Sequence, residues 1–206
     1  MQISDFKILI QKKKGEQEYL MNQKTDLSDT ITNMQEKYEY IVQAQKLLQE
    51  TAKRTQSRLS FHISSFITSA LQSIWGEDAY TFTLEFIEKR NKTEVQMLLH
   101  TQEGDVSLDS LNDIRSGGGV LDIVALALRI ALWSLQANHK NVMILDQPLS
   151  NLDSTYLPKA GELIQELAEK LQIQFIMINH NPALADIADQ TFFVEKHEGV
   201  SSVIAK

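Results

Sequence analysis

The 206-residue chain contains no cysteine. That removes disulfides, thiolate zinc sites, iron–sulfur clusters and cysteine nucleophiles together, and it agrees with a reducing compartment. No stretch approaches the roughly 20 apolar residues of a spanning helix. The N-terminus, Met-Gln-Ile-Ser-Asp-Phe-Lys, has no apolar run ahead of a small-residue cleavage site. The expectation is a soluble, cytoplasmic chain with no membrane contact. Glycine is scarce in a telling way, because the phosphate loop G-x-x-x-x-G-K-[ST] needs a Gly-Lys pair. None of the eight glycines (15, 76, 104, 117, 118, 119, 161 and 199) is followed by lysine. The chain cannot cradle ATP phosphates with such a loop alone. Positive charge is also short. The net charge is −7, and residues 61–206 hold ten Lys or Arg against nineteen Asp or Glu, whereas residues 1–60 hold ten against eight. An acidic body does not suit a free-standing nucleic-acid binder, so any DNA contact must be local.

What is present divides into an arm, residues 1–60, and a lobe, residues 61–206. From about Gln17 to Leu59 there is no proline or glycine, and apolar residues fall on a heptad. Leu20, Leu27, Met34, Ile41 and Leu48 take d, and Ile31, Tyr38, Ala52 and Leu59 take a. Gln17, Lys24 and Gln45 occupy the other a positions, which weakens the seam for a tight homodimer. A long solvated helix packed on its own domain is the plainer alternative. Between Phe61 and Trp75 the apolar face widens to that of a helix entering a core, and Gly76 is placed to end it. Tyr80 to Phe86 and Glu94 to His100 alternate as a β-hairpin. An apolar helix is expected over Val120 to Gln136. The runs Val142–Leu145 and Phe175–Ile178 read as buried strands, with a helix through Leu163 to Leu171 between them. Short strands around Phe192 to Glu195 and Val200 to Ile204 close the chain. Strands alternating with helices predict an α/β fold with a mostly parallel sheet flanked by helices.

Asp146 ends an apolar strand, where open α/β sheets place their ligands, and a carboxylate there can hold Mg beside a nucleotide phosphate. It can equally be a structural strand terminus. The ordered set is more specific. Ser116-Gly117-Gly118 opens a helix, Leu145-Asp146-Gln147-Pro148 ends a strand, Ser150-Asn151-Leu152-Asp153 follows, and Ile178-Asn179-His180 ends the next strand. In order and spacing this resembles the signature motif, Walker B, D-loop and H-loop of the C-terminal lobe of an ABC-type ATPase head. The resemblance runs from about Phe61 to Lys206. The coil directly before it narrows the resemblance to the SMC, SbcC and RecF group, the coiled-coil ATPases of chromosome organisation and DNA repair and recombination.

The resemblance implies ATP and Mg as cofactors. It assigns Asp146 to Mg, and Ser116, Gly117 and Gly118 to ATP held by the opposite head of an ATP-sandwich dimer. It also places Asp153 across that interface and His180 at the γ-phosphate. A helix start with a hydroxyl and open backbone N–H groups suits an anion. The alternatives for single residues are a Gly-rich turn that merely caps a helix, and an Asp153 that is an ordinary N-cap. Arg115 stands where many members have Leu, and Gly119 where many have Gln or Glu. The residue after the Walker B Asp, usually a Glu that acts as base, is Gln147, whose amide keeps hydrogen-bonding shape without accepting a proton. Hydrolysis should be weak or absent.

In the family the phosphate loop belongs to an N-terminal lobe. Implied partners are therefore a Walker A lobe polypeptide, a second head, DNA and a nuclease. The chain reads as half of a split ATPase, as a piece of a longer one, or as a lobe that has lost nucleotide function. From a different class comes a non-catalytic coiled-coil scaffold or adaptor that keeps the ATPase fold.

Overall fold

The first of the three prolines is Pro148, and nothing before Gly76 interrupts a helix. In the computed structural model, which describes residues 3–90, 92–108, 118–136, 140–197 and 199–205, α1 accordingly runs from Ile3 to Trp75. It is longer than the heptad alone predicts, and it passes through Gly15, where the missing Cβ costs an exposed helix about 1 kcal/mol against alanine. Gly76 ends it at φ 98°, its N–H bonded to Gln72 C=O at 2.9 Å.

The chain divides into two units, Met1–Thr55 and Gln56–Lys206. In the first, the heptad residues Leu20, Leu27, Ile31, Met34, Tyr38, Ile41 and Leu48 are all exposed. A seam of this kind on a solvated helix is what a coiled-coil partner covers.

In the second unit the C-terminal part of α1 buries Ile63, Ile67, Ala70, Leu71 and Ile74. A second stripe on this helix is polar. Ser64 Oγ accepts Leu84 N–H at 2.9 Å, Thr68 Oγ1 accepts Phe82 N–H at 2.9 Å, and the Ser60 hydroxyl donates to Leu84 C=O. Residues four apart on one helix face thus satisfy backbone groups on the unpaired edge of a strand, which would otherwise be orphaned. That strand is β1 (Tyr80–Lys89), which pairs antiparallel with β2 (Lys92–Thr101), itself antiparallel to β3 (Gly104–Ser107). The predicted hairpin is present, and Phe82, Leu84 and Leu99 turn to the core.

Helix α2 (Gly118–Ser134) buries Val120, Ile123, Val124, Leu126, Ala127, Ile130 and Ala131. Strand β4 (Val142–Asp146) leads through a loop to α3 (Leu157–Leu171), then β5 (Gln174–Ile178) pairs parallel to β4, Val142 opposite Gln174. Helix α4 (Pro182–Ala185) and the antiparallel pair β6 (Phe192–His197) and β7 (Val200–Ala205) complete the described elements. The α/β class holds, with parallel pairing confined to β4 and β5 among the described residues.

The strands β4 and β5 were expected to be buried, and they are covered on one face only. Leu145 is buried and Met143, Phe175 and Met177 pack against the core. On the other face Val142, Ile144, Ile176 and Ile178 are 37, 69, 45 and 54 % exposed. Alternation decides this, because successive side chains point to opposite faces and this chain covers one of them. Among the described residues no helix is long and apolar enough to cross a membrane.

Candidate functional site

Strands β4 and β5 end together, Asp146 opposite Ile178. Their β-branched and long apolar residues favour extended backbone, and the ladder stops where the polar sequence begins. The chain leaves β4 through Gln147, whose φ of 47° lies in the left-handed region. For a residue with a Cβ that conformation costs about 1–2 kcal/mol. The turn is held because Gln147 N–H donates to Ile178 C=O at 2.8 Å. It brings the Gln147 side chain to His180, Nε2 to Nε2 at 3.0 Å. The amide donates to the imidazole when the ring proton is on Nδ1, and after an amide flip its oxygen accepts from a protonated Nε2.

The loop carrying His180 is fixed by two side-chain bonds. Asn179 Oδ1 accepts Asn181 N–H at 2.6 Å, and Asn181 Oδ1 accepts Ala183 N–H at 3.0 Å, which caps α4. Asp146, Gln147 and His180 are all exposed. A carboxylate, an amide and an imidazole therefore stand together at the carboxyl edge of the parallel pair.

Among the described residues no three His, Asp or Glu converge as a metal cluster. A single exposed carboxylate nevertheless fits Mg, which keeps several waters and takes one or two carboxylates together with substrate phosphates. Of the residues at this edge Asp146 is the carboxylate that could take such an ion, which would there neutralise phosphate charge.

The loop after Gln147 is anchored by buried Pro148, Leu149 and Leu152, while Asp153 is exposed. Asp153 Oδ1 accepts Thr155 N–H at 2.8 Å. Bonds from the Thr155 backbone N–H and side chain hold this carboxyl below the usual carboxylate range. The N-cap position of α3 is Tyr156, with no side-chain cap bond. Asp153 thus sits in the turn ahead of the helix and is not its cap.

Ser116 and Gly117 lie outside the described residues. Gly118 begins α2, and a Cβ there would lie 2.8 Å from Asn151 Cβ. At Gly119 it would lie 3.0 Å from Leu152 Cα. Backbone approaches backbone at Gly119, which gives a glycine there a steric reason. A contact that the motifs did not signal lies beside it. Asp122, on α2, accepts from both the backbone and the side chain of Asn151. Asp122 and Arg129 are the only charged residues of α2, but nothing in the neighbouring sequence marks Asn151 as the partner.

No family model matches the chain. In sequence it is 27% identical over 150 residues to the DNA double-strand break repair Rad50 ATPase of Sulfolobus acidocaldarius, covering 70% of this chain and 16% of that protein. The chain thus spans about a sixth of that relative's length. In fold it is similar to the Smc head domain with a coiled coil and joint from Pyrococcus yayanosii, with a TM-score of 0.68 and 17% identity, covering 98% of this chain and 36% of that one. It is also similar to an SMC ATPase structure solved in work on ATP-driven dimerisation and DNA-stimulated activation. That match has a TM-score of 0.59 and 20% identity, and covers 76% of this chain and 88% of that one.

Fold and comparisons together define the class, the C-terminal lobe of an ABC-type ATPase head preceded by a long coiled-coil helix. Within that class the chain is a relative of the SMC and Rad50 ATPases.

Proposed function

We propose that the chain is the C-terminal half of an SMC- or SbcC-like ATP-gated head that acts in the cytoplasm in DNA repair or recombination, with residues 1–60 as its coiled-coil arm and 61–206 as its lobe. The observation that carries this reading is the uncovered apolar face of β4 and β5 directly beside Asp146, Gln147 and His180. Parallel sheets are ordinarily covered on both faces. A Walker A lobe from another polypeptide would complete the sheet and bring the phosphate loop to the same edge. The arm, whose apolar seam is exposed, would pair antiparallel with a coil of that partner.

In the assembled head Asp146 would hold Mg, His180 would face the γ-phosphate, and Gln147 would hydrogen-bond the water that must be oriented. Ser116, Gly117 and Gly118 address ATP on a second head, and Asp153 reaches across that interface. ATP-driven dimerisation described for a related SMC ATPase supports this arrangement. The name of the Rad50 relative, a DNA double-strand break repair ATPase, supports DNA as a further partner, and a nuclease would act on the same substrate.

The test has two stages. Calorimetry of the chain alone is expected to give negligible ATP–Mg binding, because one carboxylate and one imidazole cannot replace a loop of backbone N–H donors and its Lys. Micromolar affinity without a partner overturns the split-site reading. In complex with a Walker A lobe, Gln147→Glu supplies a proton acceptor and is expected to raise phosphate release about 10²- to 10⁴-fold, while Asp146→Asn weakens Mg binding. Gln147 itself favours the second reading, a scaffold that keeps the fold and binds partners through its coil. A background rate in Gln147→Glu, with ATP still bound, selects that reading.

A further inference from the structure

Asp122 lies on the fifth residue of α2 and grips Asn151 with both carboxylate oxygens. Oδ2 accepts the Asn151 backbone N–H at 2.7 Å, and Oδ1 accepts from Nδ2 at 3.2 Å. Hydrogen bonds to an ionised acceptor are stronger than neutral ones, and two of them fix orientation as well as distance. Beside the same pair a Cβ added at Gly118 would lie 2.8 Å from Asn151 Cβ, and one at Gly119 3.0 Å from Leu152 Cα. Asp is a poor helix former, and no basic residue stands three or four positions from Asp122 along α2. The carboxylate is therefore not there for the helix. Its bonds leave the helix for the loop.

We propose that Asp122 is a positioning residue that latches the Ser150–Asp153 loop onto the first turns of α2, so that Gly118 and Asp153 are carried as one body. The consequence for the head rests on the function proposed above. The signature end of α2 and the loop carboxylate, both assigned to face a second head, would reach it in fixed relation. A head in which either moved alone would present half of its contact.

Hydrogen exchange resolved to the Asn151 amide in the full chain tests the latch, with Asp122→Ala and Asp122→Asn compared. Asp122→Ala is expected to speed exchange at Asn151 about ten- to a hundredfold, with the amides of Leu126 and Ile164 still protected. Asp122→Asn, which keeps one acceptor, should fall between. Unchanged exchange at Asn151, or a uniform rise across α2 and α3, overturns the latch. In complex with a Walker A lobe, ATP-dependent head dimerisation is then expected to weaken about tenfold in Asp122→Ala. It should be partly rescued in Asp122→Asn, with ATP affinity of the undimerised complex unchanged. Wild-type dimerisation despite a released loop overturns the joint presentation. A wild-type complex that fails to dimerise with ATP overturns the head function instead, and the Asn151 exchange still decides the latch.

Discussion

In the antiparallel sheet β1–β2–β3 apolar and polar side chains alternate, with Phe82, Leu84 and Leu99 buried and Thr83, His100 and Asp105 on the opposite face. In the parallel pair β4–β5 both faces are apolar, and only the one carrying Leu145, Phe175 and Met177 meets the core. An antiparallel sheet with one wet face is finished as it stands, because polar residues satisfy the solvent side. A parallel pair with Ile144 and Ile178 bare is not. The same contrast appears in β6–β7, where Phe192, Phe193, Val194, Val203 and Ile204 are exposed. The exposed apolar surface therefore lies on β4–β5 beside the candidate site, on β6–β7 and on the heptad face of α1, where a second polypeptide is proposed. Patches of this sort mark interaction surfaces.

The largest effect is expected in the finished sheet. Phe82 is almost fully buried, and Phe82→Ala should cost about 3–5 kcal/mol, the range for large-to-small changes of aromatic core residues. Urea unfolding of the full chain measures it. A loss below about 1 kcal/mol would show that the antiparallel sheet is no better packed than the parallel pair, and the comparison would collapse.

The next effect is split between two measurements. Ile144→Ser together with Ile176→Ser touches only the bare face, so stability of the chain alone should move by no more than about 0.5 kcal/mol. Assembly with a Walker A lobe should lose about 2–4 kcal/mol, because full burial of an isoleucine contributes about 1.5–3 kcal/mol and Ile144 and Ile176, 69 and 45 % exposed, have only that remainder left to bury. Equilibrium unfolding and a binding titration read the two halves. A large loss in the chain alone means that this face is already covered, and unimpaired assembly means that the partner docks elsewhere.

How much of this was legible follows from which interactions are local. The helix end at Gly76, the hairpin from Tyr80 and the strand ending at Asp146 all rest on neighbouring residues, and the sequence pattern located them, whereas the short α4 after Asn181 went unread. The site was legible in part for the same reason, since Gln147 and His180 each follow the end of a strand, and two strands in parallel register bring their ends together. Apolar runs do not reveal whether both faces find a partner, so β4 and β5 read as buried. The pairing of Asp122 with Asn151 spans 29 positions and has no local signature. The stripe Ser60, Ser64 and Thr68 was likewise hidden, because its meaning depends on a strand edge that folding brings alongside it.

The smallest effect belongs to the wet face of the finished sheet and sharpens the comparison most. There Thr83 Oγ1 lies 2.9 Å from His100 Nε2, and His100 Nδ1 lies 2.7 Å from Asp105 Oδ1. Hydroxyl, imidazole and carboxylate in line resemble an activated nucleophile, yet Asp105 is directly opposite His100 in the register of β2 and β3, and Thr83 reaches the ring from β1. The three residues thus staple neighbouring strands on an open face. Cross-strand polar pairs contribute about 0.2–1 kcal/mol, so Asp105→Ala should lower stability by that amount and no more. Thr83→Val keeps the β-branched shape while deleting the hydroxyl, and should cost less still. Both are measured by urea unfolding beside Phe82→Ala, and in neither is assembly with a Walker A lobe expected to change. A loss of several kcal/mol from Asp105→Ala would mean that this face is buried against something, and a loss of assembly would extend the partner's footprint to the antiparallel sheet. In either case the distinction between a sheet that is complete and one that awaits its other half would have to be redrawn.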